Sequence, residues 1–113
     1  MTARSDLESR RCKPCEGGQP LPPGEIRDLL GQLDGWKLDP GGKEIHREFD
    51  FRNFHETMAF VNALAWVAHR EDHHPDLAVG YKKCVVRYST HAVGGLSEND
   101  FICAAKVDAL VRA

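Results

Sequence analysis

The sequence has no long apolar run: the longest, Ala63 to Ala68, falls far short of the roughly 20 residues that cross a bilayer. Residues 1–18 are polar, unlike the apolar stretch of a secretory signal, so a cytoplasmic chain with reduced thiols is expected. An excess of one charge is also missing. Lys and Arg number 15 against 17 Asp and Glu, a formal net charge of −2, and the basic residues are scattered. That pattern offers no footprint for a nucleic-acid backbone or an anionic membrane and suits a small, weakly charged ligand. Cysteine is sparse, at 4 residues. Cys84 and Cys103 lie inside apolar patterns where a thiol behaves as a small hydrophobe, and no disulfide framework is expected.

What is present fits one small domain. In 113 residues, 42% are apolar and 28% charged, enough for two packed layers. Residues 1–24 read as a flexible arm, with four of the chain's six prolines and few apolar side chains. Cys12 and Cys15 in this arm have the spacing of a redox motif or half a zinc ribbon, but no second pair follows. The domain proper is expected over residues 25–113.

Ile26, Leu29, Leu30 and Leu33 recur at helical spacing before Gly35. Trp36 and Leu38, then Ile45, Phe49 and Phe51, alternate on either side of Pro40–Lys43 and read as a hairpin. Asn53 and Glu56 resemble a capping box opening a second helix that runs to about Asp72. Pro75 disfavours helical geometry at His74, which places His73 and His74 at the helix exit. Leu77–Tyr81 and Cys84–Tyr88 alternate as two more strands. After Gly94 and Gly95, Ser97 and Asp100 make another capping-box pair ahead of a third helix. The order αββαββα lacks long parallel crossovers, so an α+β fold is expected: one four-stranded antiparallel sheet with its helices on one face. The bare face and free edges favour a homo-oligomer.

The sharpest local signal is histidine. Three of 6 fall within His69-Arg70-Glu71-Asp72-His73-His74-Pro75. Imidazole, with an unperturbed pKa of ~6.5, gives and takes protons near neutrality. The helix C-terminus and the acidic neighbours Glu71, Asp72 and Asp76 favour imidazolium, while burial opposes it. The bland alternative is that two histidines at a helix end only cap carbonyls. His69 and His73, four apart, have metal-ligand spacing, but Glu71 is not where a zinc-protease motif needs it and no third ligand is obvious. His91 follows a strand and precedes two glycines. Asp100 has a structural role as the acid of its capping box, compatible with bordering a site.

The spacing His69-x3-His73-His74-Pro75-x5-Tyr81-x9-His91-x8-Asp100 resembles the signature of the pterin-4a-carbinolamine dehydratases (4a-hydroxytetrahydrobiopterin dehydratases), over about four fifths of the chain. The resemblance implies a small α+β subunit forming dimers or tetramers, with neither metal nor organic cofactor. It implies a reduced pterin as substrate, dehydrated to quinonoid dihydropterin in tetrahydrobiopterin recycling and linked to an aromatic amino-acid hydroxylase. His73, His74 and His91 would be the catalytic histidines, with His73 and His91 exchanging protons and His74 holding the ring. His74, Asp72 and Asp100 would be the substrate-binding residues. Animal members carry an aromatic residue where this chain has Leu77, so a stacking wall there becomes aliphatic. Two rival readings stand beside this one. The first is a non-catalytic dimerisation cofactor or assembly chaperone, as in relatives of the same fold. The second is a metalloprotein using His69, His73 and the Cys12/Cys15 arm.

Overall fold

The computed structural model describes residues 3–14 and 18–112. Along the chain these form α1 (Ala3–Ser9), α2 (Pro23–Leu30), β1 (Lys37–Leu38), β2 (Ile45–Asp50), α3 (Phe54–Glu71), β3 (Asp76–Val79), β4 (Lys83–Tyr88), a 3₁₀ turn (His91–Val93) and α4 (Glu98–Val111). Side chains alternate between the faces of a strand, so Ile45 and Phe49 of β2 join Cys84, Val86 and Tyr88 of β4 on one face, all buried. β2 and β4 pair antiparallel from Ile45 opposite Tyr88 to Asp50 opposite Lys83. β1 and β3 flank them, giving the order β1-β2-β4-β3. The helices close over the apolar face, and residues Phe101 to Ala105 of α4 have no solvent exposure. The expected four-stranded antiparallel α+β architecture is the one found.

Two helix boundaries differ from the periodic pattern for local reasons. α2 stops at Leu30 although Leu33 continues its apolar stripe, and Gly31 at its end keeps right-handed geometry with its N–H bonded to Arg27 C=O at 3.1 Å. The chain then tightens, with Leu33 N–H bonding to Leu30 C=O at 3.1 Å. At the start of α3, Asn53 Oδ1 accepts the Glu56 N–H at 2.9 Å as expected. Glu56, however, turns its carboxylate to the Arg52 backbone N–H and guanidinium, so only half of the capping box forms.

In the segment read as a flexible arm, the stretch from α1 to Lys13 packs instead on α4 and the end of α3. Leu7 is completely buried in the core, a contribution of about 1.5–3 kcal/mol for such a side chain. A helix as short as α1 has no stability of its own and depends on these contacts. Arg10 pairs with Glu98 at 3.0 Å, and Arg112 pairs with Glu8. Cys12 N–H donates to Glu71 Oε1 at 2.8 Å, Lys13 N–H donates to Asn99 Oδ1 at 3.0 Å, and Cys12 Sγ lies 3.4 Å from Cys103 Sγ. One apolar residue in a polar stretch carries no periodic signal, which is why the docking was not legible. Cys15, the other half of the Cys12/Cys15 pair, lies outside the described residues. No helix among the described residues is long and apolar enough to cross a membrane.

Candidate active site

The exit of α3 is built by a residue that rarely adopts the required backbone. Asp72 has φ 51° and ψ 44°, left-handed geometry usually left to glycine. Its N–H bonds to His69 C=O at 3.3 Å, and the His73 N–H reaches back to Ala68 C=O at 3.1 Å. This pair of bonds is the Schellman closure. It reverses the chain before His73, so His69 and His73 do not share a helical face. His69 is exposed and lies 5.4 Å from the Trp66 ring, whereas His73 points inward. The spacing that suggested a metal pair therefore does not survive the helix end. Among the described residues, no group of three or more potential ligands is gathered for a metal.

His73 is held on two sides. Its ring stacks nearly parallel on Tyr88, at 5.7 Å between centroids and 6° between planes. Its Nε2 lies 2.7 Å from Asp100 Oδ1. Asp100 is fully buried, and its other oxygen accepts the Thr90 hydroxyl at 2.8 Å and the Ser97 backbone N–H at 3.0 Å. The latter bond is the acid half of the expected capping box, so Asp100 serves both the helix and the histidine. A carboxylate only accepts hydrogen bonds, which makes His73 Nε2–H the donor and leaves Nδ1 as the ring nitrogen outside this bond. Burial pushes the Tyr88 phenol well above the usual tyrosine range. Tyr88 is thus a protonated platform rather than a base.

The acidic partner of His73 is Asp100, distant in sequence, and not the neighbouring acids. Glu71 faces the other way, toward Arg11 at 3.1 Å and Lys106 at 4.0 Å. Burial raises its carboxyl, but the Cys12 N–H and these two cations outweigh that and hold it below the ordinary glutamate value. Asp76 is exposed at the start of β3.

His74 and His91 line two cavities with no lining residue in common. His74 and Asp72 border one of about 390 Å³, walled by Leu64, Ala68 and Leu77; Leu77 provides the aliphatic wall anticipated from the sequence. His91 is exposed on the 3₁₀ turn and borders a second cavity of about 480 Å³ with Asp39, Glu44 and Thr90. His73 lines neither, but it joins them. His74 is its chain neighbour, and Thr90 in the His91 cavity holds the carboxylate that holds His73. The side chain of His73 keeps 13% of its surface exposed. Tyr81, another position of the spacing, sits apart in the β3–β4 turn, stacked on Phe54 at 6.0 Å.

Sequence reasoning missed Thr90, Tyr88 and the Asp39–Glu44 pair. Tyr88 belongs to the alternating core pattern of β4, and Thr90 extends the same alternation, so the face they share was visible although their partners were not. Hydrogen bonding to Glu44, with His46 and Arg87 nearby, lowers the Asp39 carboxyl. Glu44, desolvated and beside Asp39, is pushed up. The rim of the His91 cavity thus carries a carboxyl pair unequal in proton affinity.

The family model described as pterin 4 alpha carbinolamine dehydratase matches residues 19–110. The chain belongs to this family. A protein of Nitrosospira multiformis with the provisional name pterin-4-alpha-carbinolamine dehydratase is 62% identical over 98% of this chain and 97% of its own length. A Nitrosomonas europaea protein with the same provisional name is 61% identical over 100% of both chains. The crystal structure of a Brucella melitensis transcriptional coactivator/pterin dehydratase superposes with a TM-score of 0.80 at 32% identity, covering 83% of this chain and 100% of that one. A pterin dehydratase-like protein identified as a RuBisCO assembly factor in the α-carboxysome shares the fold, with a TM-score of 0.61 at 24% identity over 70% of this chain and 92% of that one. Proteins of this fold thus include an assembly factor as well as a transcriptional coactivator/pterin dehydratase.

Proposed function

We propose that this chain dehydrates a 4a-hydroxy-tetrahydropterin to quinonoid dihydropterin and water, with His73 and His91 as the proton-exchanging pair. The observation that carries the reading is the His73–Asp100 hydrogen bond, 2.7 Å long and fully buried at its carboxylate. A histidine committed through one nitrogen to a carboxylate presents the other in a fixed direction, which is the requirement for general acid–base catalysis.

In the reaction the substrate N5 lone pair forms a C=N bond as the C4a–O bond breaks. A proton delivered to the departing oxygen makes it water, and a base then removes a proton from the cationic ring. His73 and His91 take these two roles, and the positive charge gained on the His73 ring lies beside Asp100. Each positioned acid or base contributes about 10²–10⁴ in rate. His74, Asp72 and Leu77 contact the bicyclic ring from the α3 side. The working form is a homo-oligomer in the cytoplasm that serves an aromatic amino-acid hydroxylase. Edge strand β3, with Leu77 37% and Val79 44% exposed, is the surface that a second copy would cover.

The test is dehydration of freshly generated 4a-hydroxytetrahydrobiopterin, followed in a stopped-flow spectrometer with and without the protein. Acceleration that saturates with substrate is expected. A rate equal to the unaided one refutes the reading and leaves the non-catalytic role of an assembly or dimerisation factor.

A further inference from the structure

A second hollow adjoins the His91 cavity. It lies between the segment leading into α2, α2 itself and the β1–β2 turn, with a volume of about 560 Å³. Leu21, Ile26, Leu30, Leu38 and Leu96 supply its walls. It is shaped by backbone as well as side chains. The Leu21 N–H bonds to Leu96 C=O at 2.9 Å, and Pro20 packs so close to Gly95 that a Cβ there would lie 3.1 Å from the proline Cβ.

The groove and the His91 cavity share Gly41, Lys43, Gly94 and Gly95. Apart from Lys43, nothing with a side chain stands at this shared boundary. A Cβ built on Gly41 would meet no atom within 4 Å, so the passage between the two is open. The groove has two cations, Arg27 and Lys43, and no carboxylate among its lining residues. Both cations are exposed, and neither has an ion-pair partner among the described residues.

A ligand that fits has an apolar spacer of some length and an anionic end, and is attached to whatever occupies the His91 cavity. A short polar substituent such as a dihydroxypropyl group has neither the spacer nor the anionic end, and burying its hydroxyls against leucines without partners is unfavourable. An aromatic amide ending in carboxylates meets all of them.

We propose that this groove is a subsite for an extended anionic substituent on the pterin ring, of the arylamide-carboxylate type borne by reduced folates. The inference rests on the dehydratase reading for the placement of the ring and adds the substrate class. The spacer lies along Leu30, Leu38 and Leu96, with Lys43 beside its entrance from the His91 cavity, and the terminal carboxylates meet Arg27.

The test compares two stable ligands, 7,8-dihydrofolate and 7,8-dihydrobiopterin, by titration calorimetry on the full chain. Dihydrofolate is expected to bind at least about 10-fold more tightly, as burial of an aromatic spacer and pairing of exposed charges imply. Arg27→Glu, on the exposed surface of α2, should weaken dihydrofolate roughly 5- to 10-fold by reversing one contact and leave dihydrobiopterin unchanged. Leu38→Asp should do the same through the spacer, with circular dichroism verifying that it folds. Equal affinity for the two ligands in the unmodified chain overturns the subsite while leaving the dehydratase reading intact. Binding of neither ligand, together with no dehydration of the biopterin substrate, overturns both. If Arg27→Glu weakens both ligands alike and abolishes self-association, the groove seats a second copy of the chain, and the proposal fails.

Discussion

Replacing Asp100 by Asn tests the link between the buried carboxylate and the histidine it holds. The side chain barely changes in size, but its hydrogen-bonding capacity becomes directional. The Thr90 hydroxyl and the Ser97 N–H both require an acceptor at one terminus, 2.8 and 3.0 Å away, so the amide oxygen must sit there. The amide NH2 then faces His73 Nε2, formerly 2.7 Å from a carboxylate oxygen. Two donors cannot share a hydrogen bond, so His73 is driven to the tautomer with its proton on Nδ1. A base at Nδ1 loses its lone pair, and an acid at Nδ1 loses the counter-charge that accompanies it. In either role turnover should fall by about 10²–10⁴, while the pterin, bound through other groups, keeps a KM within a few-fold of the original. The helix cap persists, so the stability cost is that of one charge-assisted hydrogen bond becoming neutral, about 1–2 kcal/mol. Thermal unfolding should drop by roughly 5–10 °C. The assay is kcat and KM as functions of pH, alongside a melting curve. If Asp100→Asn turns over within two-fold of the unmodified chain, Asp100 acts only as a cap and the argument for a positioned His73 is refuted.

The same geometry separates the two proton-exchanging histidines by stability. His73→Ala strips a partner from a fully buried carboxylate and unstacks Tyr88, so it should cost about 2–4 kcal/mol by denaturant titration, whereas exposed His91→Ala should change stability by less than about 0.5 kcal/mol. Asp72→Gly relieves the left-handed residue at the end of α3 and should stabilise by roughly 0.5–1 kcal/mol, with a raised KM if the carboxylate contacts substrate. The Glu71 carboxyl is held below its ordinary value of 4.5, so the stability it supplies is present above that pH and is lost as pH falls through the lower folded value. Melting temperatures measured across acid pH should therefore fall less steeply for Glu71→Gln than for the unmodified chain, and parallel curves would contradict the assignment.

Much of this site could be read from the chain before any coordinates, because the relevant rules are local. Pro75 and the charged, polar stretch before it end α3 where His73 begins, and Ser97 with Asp100 announces α4. The alternation in β4 put Cys84, Val86 and Tyr88 toward the helices. What was not legible depends on contacts far apart in sequence. A capping acid has two oxygens, and only the fold decides that the second acceptor of Asp100 meets His73, 27 positions away. Neighbouring Glu71 looked like the counter-charge, but its place on α3 turns it to Arg11 and Lys106 instead. His74 and His91 both belong to the spacing, yet they open onto separate cavities. Among the described residues, the hydrogen-bonded chain His73–Asp100–Thr90 runs between their sequence neighbours.

The central claim is that His73 and His91 serve one substrate as its proton-exchanging pair. Single-turnover dehydration of 4a-hydroxytetrahydrobiopterin by His73→Ala, His91→Ala and the double variant tests it most directly. The account predicts that each single change slows the chemical step about 10²–10⁴-fold and that the double variant approaches the unaided rate. Single variants that dehydrate the pterin as fast as the unmodified protein would contradict it.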